Sequence, residues 1–315
     1  MADLTVAFAG LELRSPIMSA SGTFGHGLEM QHIVPPETVG GLVSKTVTMD
    51  PRPGNPMPRI CETEAGFLNS IGLENRGIEA YLAHTLPQME AADTVVIANI
   101  GAKQADEFGR IASILDGRPE VDALEVNLSC PNVQGGRLPY STDPSVAEEV
   151  IRGVRDATRK PIFAKLSPNV TRIADIAVAV ECGGADGITA INTLLGMGVD
   201  WRTRKPALNT TQGGYSGAAI KPVALRCAWE CAQAVQIPIL GCGGICSAAD
   251  ILEFMVVGCS AVQVGTASFA DPGLLGRLAS ELEQLLDANG HASVRELIGS
   301  LETGQAQTVA PGSKS

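Results

Sequence analysis

The stretch Leu124-Glu125-Val126-Asn127-Leu128-Ser129-Cys130-Pro131-Asn132 decides how this chain is read. Its first half alternates apolar residues as a strand does, and its second half is a turn carrying two amides, a hydroxyl and a thiol. Asn127 and Asn132 can each donate to and accept from a planar polar ligand, and Cys130 between them has the chemistry of a nucleophile or a base. The same residues also fit a strand end in which asparagines satisfy turn backbone and the cysteine is an inert packing group. The surrounding sequence separates these readings.

Working outward, short apolar runs bounded by Gly, Asn or Pro recur at Ile17–Ala20, Gly41–Thr46, Thr94–Ile100, Ala123–Leu128, Pro161–Leu166, Gly187–Ile191, Ile237–Gly241 and Ala261–Gly265. Between them Pro144–Ala157, Arg172–Cys182, Pro222–Val235, Ala248–Val257 and Pro272–Leu286 show helical periodicity, with Asp143-Pro144 and Ser247 as plausible starts. Such alternation predicts an α/β fold, a (β/α)8 TIM barrel, as one domain over residues 1–302. An internal echo supports it: Gly184-Ala185-Asp186-Gly187-Ile188-Thr189-Ala190 resembles Gly258-Cys259-Ser260-Ala261-Val262-Gln263-Val264. Two connections are unusually long, Val47 to about Asn75 and Asn192 to Lys221, and both are expected to form lids or walls at the barrel mouth. The small, polar tail over residues 303–315 is expected to be disordered.

Composition agrees with this frame. With 45% hydrophobic residues, 35 glycines and 4% aromatics, the chain suits Val/Ile/Ala-rich buried strands joined by tight turns. A net charge of −11 argues against a nucleic-acid partner, which needs a basic face. No apolar run approaches the roughly 18 residues that span a bilayer, and Asp3 and Glu12 stand where a leader would be basic. The expectation is a soluble, cytoplasmic enzyme acting on a small molecule, with no membrane partner. The eight cysteines are expected as free thiols. Cys227 and Cys231, or Cys242 and Cys246, lack a C-x-x-C spacing or a histidine pair, so no metal or iron–sulfur site is expected in this chain.

In a barrel every strand's C-terminal end faces one mouth, and polar residues gather at these ends: Ser21, Lys45-Thr46, Asn99, Asn127, Lys165, Ile191-Asn192-Thr193, Gly243-Gly244 and Gly265-Thr266. The last two pairs follow the seventh and eighth strands, a common phosphate site, and a third glycine turn at Gly213–Gly217 is placed to close over it. Lys45 and Lys165 need counter-charge, because an unpaired buried ammonium costs several kcal/mol. An anionic ligand would supply it; the alternative is Glu125, whose facing the sequence leaves open. Phosphate on one side, lysine and amides on the other, describe a phosphorylated planar cofactor across the mouth, and flavin mononucleotide (FMN) fits best. Lys165 would then stabilise negative charge on the pyrimidine side of the reduced ring.

At this point the motifs carry a family. Ala20-Ser21-Gly22-Thr23-Phe24-Gly25, Ser44-Lys45-Thr46, Leu68-Asn69-Ser70-Ile71-Gly72-Leu73-Glu74-Asn75, Glu125 to Asn132, Lys165-Leu166-Ser167-Pro168 and Gly243-Gly244-Ile245 resemble the class 1 dihydroorotate dehydrogenases, over almost the whole chain apart from the tail. The resemblance implies that Ser21, Lys45, Thr46, Asn99, Asn127, Lys165, Ile191, Gly217, Gly243, Gly244, Gly265 and Thr266 contact FMN. It implies that Lys45, Asn69, Ser70, Ile71, Gly72, Leu73, Asn127, Asn132, Asn192 and Thr193 surround the substrate and that Cys130 is the catalytic base. The class 2 membrane enzymes, with serine at the base position and an N-terminal amphipathic extension, match less well.

Ala20 to Gly27 and Leu68 to Leu73 are most similar to the NAD-linked 1B subtype. That subtype implies a homodimer of this chain joined, as a heterotetramer, to an iron–sulfur flavoprotein subunit carrying FAD and a [2Fe–2S] cluster. The implied reaction is oxidation of dihydroorotate to orotate in pyrimidine (UMP) biosynthesis. Rival readings are the fumarate-linked 1A form, another FMN barrel such as a dihydropyrimidine reductase or a tRNA dihydrouridine synthase, and a non-catalytic phosphate-ligand barrel. The acidic charge opposes a tRNA substrate, and Lys45 with Asn69 suits a free carboxylate. Three departures stand out: Cys242 for a larger apolar residue, Arg14-Ser15-Pro16 for Lys-Asn-Pro, and Arg76 for proline.

Overall fold

A computed structural model describes residues 1–129 and 140–304. Cys130 and Asn132, and the expected tail from residue 305 onward, lie outside the described residues. Eight parallel strands, each overlapping an expected run, close into a barrel: β1 (Ile17–Ser19), β2 (Gly41–Val43), β3 (Val95–Ile100), β4 (Ala123–Asn127), β5 (Ile162–Leu166), β6 (Gly187–Ala190), β7 (Ile239–Cys242) and β8 (Cys259–Val264). They pair in chain order, and β8 returns to β1 through Val262 opposite Ile17 and Val264 opposite Ser19. Strands such as Ala123–Asn127 and Ile162–Leu166 are buried at every residue, which is why they read as continuous runs.

The crossovers are the expected helices with small shifts, α2 (Pro144–Ala157), α3 (Ile173–Cys182), α4 (Lys221–Ala234), α5 (Ala248–Val256) and α6 (Leu274–Ala288), preceded by an unforeseen α1 (Ala105–Asp116). Capping explains the starts. Asp143 accepts from the N–H groups of Ser145 and Val146, with Pro144 in the first turn, and Ser247 accepts from Asp250 N–H. Helix α1 begins instead at Gln104, in a capping box with Glu107, a start signal weaker in sequence than Ser, Thr, Asp or Asn. Between β2 and β3 the helical stretch Gly77–Met89 is broken by a π turn at Tyr81–Thr85 just before Pro87, which cannot donate a helix bond.

The barrel floor is closed by an N-terminal hairpin, Val6–Phe8 against Leu11–Leu13. The Phe8 ring meets Phe163 edge-on with centroids 4.9 Å apart, and a side chain on Gly187 would come within 3.0 Å of that ring. At the opposite end the two long connections are not separate lids. Ile60–Thr63 and Gly66–Asn69 from the first pair with Gly213–Ser216 and Leu194–Gly196 from the second in one four-stranded antiparallel sheet. That sheet stands as a single wall beside the mouth.

Candidate active site

The C-terminal mouth holds a cavity of about 790 Å³. Its rim brings together nearly all the residues singled out from sequence. Ser21, Lys45, Thr46, Asn127, Lys165 and Ile191 come from strand ends, Gly217, Gly243, Gly244, Gly265 and Thr266 from the glycine turns. Asn69 to Leu73 reach in from the accessory sheet, and Asn192 and Thr193 from the end of β6. Among the described residues Asn99 is the exception, being fully buried below the cavity.

Below the mouth lies a charged network. Lys165 Nζ, 4% exposed, donates to Gln263 Oε1 at 2.8 Å, Glu125 Oε1 at 3.2 Å and Ser21 Oγ at 3.3 Å. Glu125 faces inward, fully buried, and also accepts from Asn99 Nδ2 at 2.6 Å and Thr189 Oγ1 at 2.8 Å. Asn99 in turn accepts from Thr46 Oγ1 at 2.6 Å. The expectation that an anionic ligand supplies the counter-charge is therefore corrected for Lys165: the barrel supplies it through Glu125. Burial pulls the Lys165 pKa down, but the Glu125 charge and hydrogen bond reverse this, leaving it above the ordinary lysine value. Its ammonium is fixed in place and permanently charged at neutral pH.

Lys45 differs. It lines the cavity, half-buried, with no ion pair or side-chain hydrogen bond among the described residues, so a ligand is its available counter-charge. Amides surround the same side. Asn192 Nδ2 donates to Asn127 Oδ1 at 3.2 Å, and Asn69 Nδ2 donates to the Gly214 carbonyl at 3.3 Å. Asn55, which the motif reading passed over, fixes the Asn69–Leu73 edge by donating to Ser70 O at 3.0 Å and Ser70 Oγ at 2.9 Å.

On the far side the glycine turns form a cradle. Gly243 and Gly244 have φ of +132° and +78°, and a Cβ on Gly244 would lie 2.7 Å from the backbone of Lys221. The N–H groups of Gly243, Gly244 and Thr266 find no acceptor among the described residues. Free N–H groups at a glycine turn suit a phosphate. The residues present thus fit a phosphorylated planar group, with an anion cradle at one end and fixed positive charge at the other.

Sequence reasoning missed Gln263 and Thr189 and left the facing of Glu125 open. A polar residue inside an otherwise apolar buried strand was the available signal, since such a group needs buried partners. Of the departures, Cys242 lines the cavity, and burial raises its thiol pKa despite the Lys165 charge. Arg14 pairs with Asp93 at 3.0 Å on the surface.

A profile of the dihydroorotate dehydrogenase family matches residues 3–286. The chain belongs to the dihydroorotate dehydrogenase family. It is 49% identical to the catalytic subunit of dihydroorotate dehydrogenase B (NAD(+)) from Geotalea uraniireducens, over 96% of this chain and 99% of that protein. The catalytic subunits of the same name from Geobacter sulfurreducens and Pelobacter propionicus are 49% and 50% identical, each over 95% of this chain and 98% and 99% of their own length. The likeness drawn from the motifs, to the B type within class 1, agrees with these relatives. No described helix is long and apolar enough to cross a membrane.

Proposed function

We propose that the chain is the catalytic subunit of an NAD-linked dihydroorotate dehydrogenase, oxidising dihydroorotate to orotate in pyrimidine biosynthesis. The observation that carries this is the division of labour between the lysines. Lys165 is neutralised by Glu125 and held fixed, whereas Lys45, among Asn69, Asn127 and Asn192, keeps a free charge for a carboxylate beside amide and imide edges. The nearly full-length B-type relatives support the same reading.

The turns at Gly243-Gly244 and Gly265-Thr266 would hold FMN by its phosphate, and the cofactor would supply the hydride acceptor for ring carbon 6. Cys130 takes the proton from carbon 5, so the carbon–carbon double bond of orotate forms as both hydrogens leave. Asn127, Asn132, Asn192 and Thr193 orient the ring, and Asn69 to Leu73 cover it. Asn99 is read as acting through Thr46 and Glu125 from beneath. Lys165 keeps a positive charge at the floor of the mouth. In this reading a homodimer of the chain passes its electrons to an iron–sulfur flavoprotein subunit with FAD and a [2Fe–2S] cluster, and the assembly is cytoplasmic. The test is the visible spectrum of the purified chain. Flavin bands that bleach on anaerobic addition of dihydroorotate are expected; a colourless protein, or bands indifferent to dihydroorotate, would refute the reading.

A further inference from the structure

A second large cavity, about 720 Å³, lies beside the first and shares with it Gly25, Lys45 and Glu74. Its walls come from the loop after β1, the base of the long connection after β2 and the helical stretch Gly77–Met89. None of the chemistry above uses it.

The lining is cationic in a chain whose net charge is −11. Arg52, Arg76 and Lys45 all line it, and no side chain of the three has an ion pair or hydrogen bond among the described residues. Of the wall carboxylates, Glu74 is already paired with Arg59 at 2.5 Å, and Glu29 accepts from the His26 backbone N–H at 2.9 Å. The two arginines sit on a fixed base. Arg52 and Asn75 exchange backbone hydrogen bonds of 2.8 and 3.0 Å, and Asn75 Oδ1 accepts from Gly77 N–H at 2.8 Å. Their main chains therefore need not be ordered by a ligand. Arg76 is also the residue that departs from the family pattern, and the site above gave it no role.

One wall is aromatic. The His26 ring lies 5.5 Å, centroid to centroid, from the buried Tyr81 ring, and His26 Nδ1 is buried with no partner among the described residues. Burial and the nearby Lys45 charge hold the His26 pKa below its ordinary value, with Glu29 opposing them. Burial pushes the Tyr81 phenol up to about 12, so its hydroxyl stays neutral. Unpaired guanidinium groups in a concavity attract anions, and they pair with phosphate oxygens in bidentate fashion. A volume in the range of small-molecule sites leaves room for more than the phosphate.

We infer that this cavity is a second binding site, for a small phosphate-bearing organic anion of the nucleoside monophosphate class: Arg52 and Arg76 take the phosphate, and the half-buried His26, backed by the Tyr81 ring, takes the organic part. The inference needs neither the flavin nor Cys130, so it stands or fails separately from the dehydrogenase reading.

The test is calorimetric titration of the flavin-loaded protein with uridine 5′-monophosphate, with and without saturating orotate, and with inorganic pyrophosphate as competitor. One saturable site per chain is expected, persisting when orotate is present and competed by pyrophosphate. Arg52→Gln and Arg76→Gln should each weaken binding by about tenfold or more, the scale of one lost charge-assisted hydrogen bond, while Arg76→Lys keeps most of it. Neither arginine side chain has an ion pair or hydrogen bond among the described residues, so these variants should fold and bind orotate as the parent does. No saturable nucleotide binding, displacement by orotate, no competition by pyrophosphate, or an affinity indifferent to both Gln variants would each overturn the inference.

Discussion

At the residue scale, the two lysines separate charge that belongs to the fold from charge kept for a ligand. The Lys165 pKa is raised in the folded chain, so the stabilisation from its pair with Glu125 is complete below the ordinary lysine value of 10.5 and fades as pH climbs through the raised value. Between about pH 7 and 9 its charge is constant. A turnover rate that rises across that window is therefore expected to report Cys130, a thiol of ordinary pKa about 8.5 that must lose its proton to act as base. Cys130→Ala should lower the rate of flavin reduction on the order of a hundredfold or more; stopped-flow rates near those of the parent at neutral pH would refute its role. Removing Glu125 tests the network itself. Glu125→Ala strands the buried Lys165 ammonium and the side chains of Asn99, Thr189 and Gln263, each of which donates to Glu125, and should cost about 3–5 kcal/mol in urea unfolding. A cost below about 1 kcal/mol would mean that water or a moved Lys165 takes over.

At the scale of elements, the accessory sheet ties the substrate-facing edge Asn69–Leu73 to the glycine turn at Gly213–Gly217, so the two halves of the mouth share one support. Gly66 lies at the crossing, where an added Cβ would fall 1.9 Å from the Ser216 carbonyl oxygen. Gly66→Ala should force the strands apart, displace Asn69 and weaken orotate binding on the order of tenfold, whereas Gly117→Ala, where a Cβ meets nothing within 4 Å, should leave it unchanged. Equal orotate affinities in flavin-monitored titrations of the two variants would break the link between sheet and site. This sheet is also where the sequence was least legible. The barrel strands are continuous apolar runs that any window detects, but Ile60–Thr63 and Gly213–Ser216 are short and Gly- or Glu-bearing, and the sheet that holds them is joined by pairing of Gly213–Ser216 with Gly66–Asn69, about 150 residues away. Helix α1 was lost to its glutamine cap and Gly77–Met89 to Pro87. Among site residues, the mouth was legible because a barrel orders its strand ends; Glu125, Thr189 and Gln263 were not, because their meaning lies in one another, across strands far apart in sequence.

At the scale of the molecule, all the barrel strands are committed to one closed sheet, and its one polar mouth is filled by the proposed FMN and substrate sites. In open parallel sheets dinucleotides bind where the strand order reverses, a crevice that this closed barrel lacks. The relatives are named as catalytic subunits of an NAD(+) enzyme, a name that separates the chemistry in this chain from the acceptor. Electrons taken from dihydroorotate should therefore leave the chain before they reach NAD. The purified chain alone is expected to reduce an artificial dye with dihydroorotate yet produce NADH slowly, and addition of the proposed iron–sulfur flavoprotein subunit should restore NADH formation in proportion to the complex assembled. The ratio of dye to NAD rates, measured before and after mixing, decides the matter independently of absolute activity. Rapid NADH formation by the isolated chain would place the acceptor site within it, and rapid turnover with fumarate would move it to the 1A form. Either result would leave the proposed roles of Lys45 and Cys130 at the mouth to stand on their own tests.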